Sequence, residues 1–219
     1  MTLHIGNNLV KINHNNTYAS LVKIPFVPSI PTMLGSRLDN KATVVGVLQD
    51  HEGNDYVLAV VDAAYRSGSP ILRSPKGASS LPWHRLEKDA LADRHTGKYY
   101  TDVIIAETSI NQNDAIYFAT NACSIFLKNM EYKSVLPSLY ELTCIYDNRI
   151  ELDKHDPTLN DYPERSLTNF TFGSTGSRSS TARQSTGQYM WIKNSDGTNN
   201  ILEYRQSSGV CPVFCIPLS

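Results

Sequence analysis

This 219-residue sequence holds no run of the ~20 apolar residues that crossing a bilayer requires. It also lacks a clustered basic face: 20 Lys and Arg stand against 21 Asp and Glu, for a formal net charge of −1. Membrane insertion and nucleic-acid binding are therefore not expected, since the second needs a concentration of cations against phosphate. The start, Met1-Thr2-Leu3-His4-Ile5-Gly6-Asn7-Asn8, has no basic end running into an apolar stretch, so no secretory signal is expected and synthesis in a cytoplasm is. No heptad or collagen-like repeat is present to force trimers. Cysteine is scarce, with Cys123, Cys144, Cys211 and Cys215 alone, too few for a disulfide scaffold. Four residues along one extended strand place the Cα atoms of Cys211 and Cys215 about 13 Å apart. A disulfide needs less than ~7 Å. All four cysteines therefore read as small buried apolar side chains.

What is present suits a soluble globular protein with a real core. Hydrophobic residues make up 41% of the chain and charged residues only 19%, so Ser, Thr and Asn carry much of the polarity. Such a surface fits neutral hydrogen-bonding partners, sugars among them, better than phosphate-rich ones.

Residues 1–40 differ from the rest. Asn-rich turns at Asn7-Asn8 and Asn13 to Asn16 lead into Ile24-Pro25-Phe26-Val27-Pro28-Ser29-Ile30-Pro31. Three prolines at three-residue spacing favour an extended, polyproline-like arm, which either threads along a neighbouring subunit or packs on its own domain. From Ala42 the pattern becomes globular. Ala42 to Gln49 and Tyr56 to Ala63 are apolar, β-branched runs joined by Asp50-His51-Glu52-Gly53-Asn54-Asp55, which predicts a hairpin. Its acidic turn does not follow a calcium-loop spacing. Residues 66–100 predict a long ordered loop with one helical turn near Leu86 to Leu91, and Trp83 is expected as a plug in the core. His84 and His95 have no ligand-spaced partner in the sequence, so no zinc site is expected there.

Two helices are predicted next. Ile116, Ala119, Cys123 and Phe126 or Leu127 recur at helical steps over 113–127. The second helix opens on Ser138-Leu139-Tyr140-Glu141, a capping box, and continues its buried face with Leu142, Ile145 and Tyr146. Residues 147–172 read as a solvated, turn-rich loop, in which Asp153, His155, Asp156 and Asp161 show no regular cation-ligand spacing. Residues 173–188 hold almost nothing apolar and predict a flexible loop carrying Arg178 and Arg183. An aromatic hairpin over 189–204 and a terminal strand over 210–216 complete the chain.

Several segments fall in the order seen in one family. Leu136-Pro137-Ser138-Leu139-Tyr140-Glu141-Leu142 resembles the leucine-proline-serine-x-x-glutamate-leucine segment that opens the second helix of C-type-lectin-like domains of the Lcl C-terminal type, found in phage virion and bacterial surface proteins. Tyr146 stands where that family often has an aromatic, Gly53 to Ala63 looks like its first hairpin, and Ala119 to Cys123 like its alanine-rich helix. Phe172-Gly173-Ser174-Thr175, Tyr189-Met190-Trp191-Ile192 and Gly209 to Ile216 resemble its aromatic-x-Ser-Thr segment, central aromatic strand and closing strand. The likeness spans roughly 45–219. Cys211 and Cys215 replace the arginines that usually flank the last Pro-Val, and the acidic and Asn-Asp calcium triplets of sugar-binding members are missing, since Trp191 is followed by Ile192-Lys193-Asn194.

The resemblance implies an α+β, C-type-lectin-like fold over 41–219, with two helices and a small twisted antiparallel sheet, behind an extended anchoring arm at 1–40. It further implies a non-enzymatic virion surface protein, homo-oligomeric, bound to other virion proteins through the arm and directed at host-surface polysaccharide. A decoration or adaptor protein without ligand is the alternative. A formylglycine-generating-type oxidase is a third reading, invited by Cys211 and Cys215 but lacking an activating base. No metal and no cofactor is expected. The candidate ligand-binding residues are Arg178, Arg183, Tyr189, Trp191 and Tyr204, because aromatic faces stack on sugar rings and arginines donate forked hydrogen bonds. For Tyr189 and Trp191 the competing role is core packing.

Overall fold

A computed structural model describes residues 2–5, 8–11, 29–66, 81–108, 126–127, 132–173, 176–184, 189–203 and 208–218. The chain divides into two compact units, Met1–Ile30 and Pro31–Ser219. In the first, β1 (Thr2–Ile5) and β2 (Asn8–Lys11) pair as an antiparallel hairpin. The Pro-rich segment of the expected arm lies, up to Pro28, outside the described residues. Arg37 and Leu38, assigned to the arm from sequence, instead form β3 of the second unit's sheet.

That second unit is α+β, with antiparallel sheets. β3 pairs with β4 (Ala42–Gln49), β4 with β5 (Asp55–Val61), and β5 with β11 (Val213–Pro217), giving the order β11-β5-β4-β3. The hairpin predicted around Gly53 is thus present, and Gly53 takes a positive φ of 86° at its tip, where a Cβ would be strained. A second sheet holds β8 (Ser177–Ala182), β9 (Tyr189–Lys193) and β10 (Asn199–Glu203) in the order β10-β9-β8. A short pair, β6 (Phe126–Leu127) with β7 (Tyr132–Lys133), stands where the sequence predicts the end of a first helix; residues 113–125 of that helix lie outside the described residues.

Two helices occupy a stretch that reads from sequence mostly as loop. α1 (Glu87–Ala92) matches the expected helical turn, whereas α2 (Gly97–Thr108) was not expected. Its start is set by Thr96, whose Oγ1 accepts the amide hydrogen bond of Tyr99 at 3.2 Å. Tyr100 and Ile104, one helical turn apart, are its fully buried apolar side chains. The third helix, α3 (Leu139–His155), begins at the predicted capping box: Ser138 Oγ accepts from Glu141 N, and Glu141 Oε2 accepts from Ser138 N at 2.8 Å. It runs on to His155, through the first third of the stretch expected to be loop. Asp153 accepts the amides of Leu167 and Thr168 at 2.7 and 3.0 Å, and so anchors the π-helical turn Leu167–Thr171.

The largest change concerns β8. A sequence of Ser-Arg-Ser-Ser-Thr-Ala has no apolar alternation, yet every one of these residues is buried. Three of its four hydroxyls find partners inside, Ser177 Oγ being the exception: Ser179 Oγ donates to the carbonyl of Trp191 at 2.7 Å, Ser180 Oγ to that of Pro137 at 3.0 Å, and Thr181 Oγ1 accepts from Leu139 N at 2.9 Å. A polar strand is stable in a core when its hydrogen bonds are made there. The expected flexible loop at 173–188 is therefore a buried strand over 177–182. Trp83, expected in the core, is 47% exposed.

Candidate functional site

Four segments meet around one carboxylate. Asp93 follows α1 directly, and its amide bonds back to Asp89 O at 3.0 Å. His84 precedes α1; its main chain is clamped to the second sheet, with its amide on Ala182 O and its carbonyl accepting from Trp191 Nε1, both at 3.2 Å. His95 lies in the link to α2, whose first turn supplies Tyr99 and Tyr100. His51 comes from the tip of the β4–β5 hairpin.

Asp93 Oδ2 accepts from His84 Nε2 at 2.6 Å and from the Tyr100 hydroxyl. Its Oδ1 accepts from His95 Nδ1 at 2.7 Å and from the His95 amide at 2.9 Å. The His51 and His95 rings stack at 4.0 Å and 18°, and the Tyr99 ring lies 4.4 Å from His95. Asp93 itself is nearly covered, while the His84 and His95 side chains keep 22% and 24% of their surface.

Burial works against an ionised Asp93. The hydrogen bonds from the His95 amide, Tyr100, His84 and the His95 ring outweigh it and hold the carboxyl down to about 2. Tyr100 moves the other way, its phenol pushed up by burial and by the Asp93 carboxylate, so it remains a neutral donor. An ionised carboxylate only accepts, which puts the protons on His84 Nε2 and His95 Nδ1. His84 Nδ1 and His95 Nε2 make no hydrogen bond among the described residues. In their neutral form both are acceptors, held in fixed orientation.

The folded pKa of Asp93 lies below the ordinary 3.8, so the cluster stabilises the protein above about pH 4, and that stability drains away as pH falls toward 2. A shift of this size corresponds to roughly 2 kcal/mol. In urea unfolding at fixed pH values, the stability gap between wild type and Asp93→Asn is expected to be full at pH 7 and to narrow between pH 4 and pH 2. A gap that stayed constant would place the acid-sensitive group elsewhere.

The residues singled out from sequence are dispersed. Arg178 is fully buried in β8; its Nε donates to Ser208 Oγ at 3.0 Å and Nη2 to the Glu203 carbonyl at 3.3 Å, and burial brings its pKa down to about 10. It faces the interior, not a ligand. Arg183, Tyr189 and Trp191 do come together: the Arg183 amide donates to Tyr189 O at 2.8 Å, and the Arg183 guanidinium lies 6.0 Å from the Trp191 ring. Trp191 is buried against Ala90 and Leu139, the core role, and Tyr189 donates from its hydroxyl to Glu203 Oε1 at 3.2 Å. Tyr204 lies outside the described residues. Arg178→Ala is expected to destabilise by about 2–4 kcal/mol, through a lost buried hydrogen-bond set and a cavity, and Arg183→Ala by less than about 1 kcal/mol. Melting temperatures of the two variants, measured side by side, separate these.

His84 and His95 do have a carboxylate partner, contrary to the sequence expectation. The signal was Asp93-Arg94-His95 with two tyrosines shortly after, but nothing local announced that His84 and His51 would join them. Among the described residues no group of three His, Cys, Asp or Glu side chains is arranged to hold a metal ion. Cys144, Cys211 and Cys215 are free thiols; burial pushes Cys211 up to about 12, and burial together with the Glu141 carboxylate raises Cys215 well above the ordinary thiol value. Comparison with family models, curated proteins and solved structures returns no match to this chain.

Proposed function

We propose that this protein is a non-enzymatic recognition protein of a phage particle, displaying a C-type-lectin-like domain toward host-surface polysaccharide and held to other virion proteins by its N-terminal segment. The observation that carries the reading is the division of the chain at Ile30 and Pro31. A small N-terminal unit with its own hairpin, followed by a larger α+β unit, is the organisation of an anchor and a displayed domain. Within the larger unit, the capped helix, the aromatic β9–β10 hairpin and the closing strand follow each other in the order the family resemblance implies. The side chains that invited a redox reading are committed to the core: Cys215 donates to Glu141, and Cys211 packs among apolar residues. A rigid interior with its polar groups bonded inward suits a scaffold that presents a surface.

The test is binding of the labelled full chain to an array of bacterial surface polysaccharides and to whole cells. Saturable binding to a subset of surfaces is the expected result. Absence of binding on every surface would replace this reading with that of a decoration or adaptor protein, whose exposed faces meet neighbouring subunits.

A further inference from the structure

We propose that the face formed by His51, His95 and Tyr99, together with the outward nitrogens of His84 and His95, is the binding site for a neutral saccharide. This deepens the recognition reading and rests on it. The site differs from the one the sequence suggested, since it uses none of Arg178, Arg183, Tyr189, Trp191 or Tyr204.

Three features fit this ligand class. The first is a ring surface. His51, His95 and Tyr99 contact one another, with His95 at 4.0 Å from His51 and 4.4 Å from Tyr99, and all three side chains reach solvent. The C–H face of a pyranose is apolar and matches such rings, while its hydroxyls project around the edge. The second is the set of hydrogen-bonding atoms. His84 Nδ1 and His95 Nε2 are oriented acceptors, fixed because their other nitrogens are held by Asp93, and the Tyr99 hydroxyl has no partner among the described residues. Sugar hydroxyls donate to the first two and exchange either role with the third. The third is charge. The ionised group at the centre is Asp93, and neighbouring cations are engaged elsewhere: Lys98 pairs with Asp102, and the Arg94 guanidinium lies over the Tyr140 ring. Glu52 stands 3.8 Å from His51 and adds a second negative charge. A uronic or phosphorylated sugar would meet repulsion here, and a neutral one does not.

Binding without cleavage follows from the same geometry. Glycoside hydrolysis uses two carboxyl groups flanking the bond. Asp93 is nearly covered, with both oxygens already accepting hydrogen bonds, so it is not free to act as one of such a pair with Glu52. Asp93 is thus a positioning residue for the two imidazoles.

The experiment uses the full chain at pH 8 with EDTA present, titrated with oligosaccharides cut from neutral hexose-containing polysaccharides and, separately, from uronic-acid polysaccharides. The wild type is expected to bind the neutral set, and Tyr99→Ala to weaken that binding at least roughly tenfold. His95→Asn keeps a donor toward Asp93 and removes the outward acceptor; it is expected to weaken binding severalfold while the melting temperature stays close to wild type. Wild-type binding to neutral sugars that both variants retain would overturn the site and leave the recognition reading standing. Binding confined to the uronic set, or loss of binding with EDTA, would overturn the ligand class. Release of new reducing ends would overturn binding without cleavage. A wild type that binds neither set here and no surface on the polysaccharide array would remove both the site and the recognition reading.

Discussion

Glu141→Ala should destabilise the protein by about 3–5 kcal/mol, several times the effect of removing its capping partner. The cap accounts for a fraction of what Glu141 does. Its Oε2 accepts from the amides of Ser138 at 2.8 Å and Gly97 at 2.9 Å, while Oε1 accepts from the Tyr56 hydroxyl at 2.9 Å and from Cys215 Sγ at 3.3 Å. One fully buried carboxyl therefore ties the start of α3 to the start of α2 and to strands β5 and β11. The fit around it is close: a Cβ on Gly97 would come within 2.7 Å of Oε2 and 2.0 Å of the Leu136 carbonyl. Alanine would strand two amides and a phenol in the core. Ser138→Ala removes a single acceptor and should cost about 1 kcal/mol. Glu141→Gln should be mild, because its carbonyl can face the two amides while its NH2 donates to Tyr56 and Cys215, whose hydrogens can turn away. Urea melts of the three variants rank them; equal effects of Ala and Gln would show that the hydrogen bonds contribute little.

Asp156→Ala should be comparably severe, at about 3–5 kcal/mol, because it leaves a buried cation without its anion. Arg66 is 1% exposed, and its Nη2 donates to Asp156 Oδ2 at 2.7 Å. Its Nε holds the Val61 carbonyl at 2.8 Å and Nη1 the Arg165 carbonyl at 2.6 Å, so the guanidinium pins the end of β5 to the segment after α3. Asp156 in turn accepts from the amides of Ala63 at 2.7 Å and Thr158 at 3.0 Å. Removing both charged groups should be less damaging than the sum of the two single losses. The double variant Arg66→Met with Asp156→Ala should therefore recover part of the stability in a double-mutant cycle. Strict additivity would mean that the two side chains act independently.

Elements with a local signal were legible in the sequence. The Ser138-to-Glu141 box sets a helix start through contacts three residues apart, and the β-branched runs around Gly53 need only each other. β8 was hidden because its stability is nonlocal: Ser179, Ser180 and Thr181 become core residues only when Trp191, Pro137 and Leu139 supply partners. α2 was hidden by a start with Gly97 and by β-branched residues that read as strand or loop. The candidate site was the least legible part. Its residues come from a hairpin tip, an extended segment, a link and a helix, and each histidine alone is unremarkable.

The pairing of β5 with β11 sets the tempo of folding. Val60 meets Val213, so a strand early in the chain must wait for one near its far end, and such closures are slow compared with the formation of a local hairpin. During that interval the β4–β5 hairpin presents Val57 to Val61 along an unpaired edge, an uncharged β-rich stretch. Two molecules caught at this stage can pair edge to edge before either finds its own β11. Refolding yield should accordingly fall as protein concentration rises, and a peptide spanning residues 210–218 added in excess should protect against that loss.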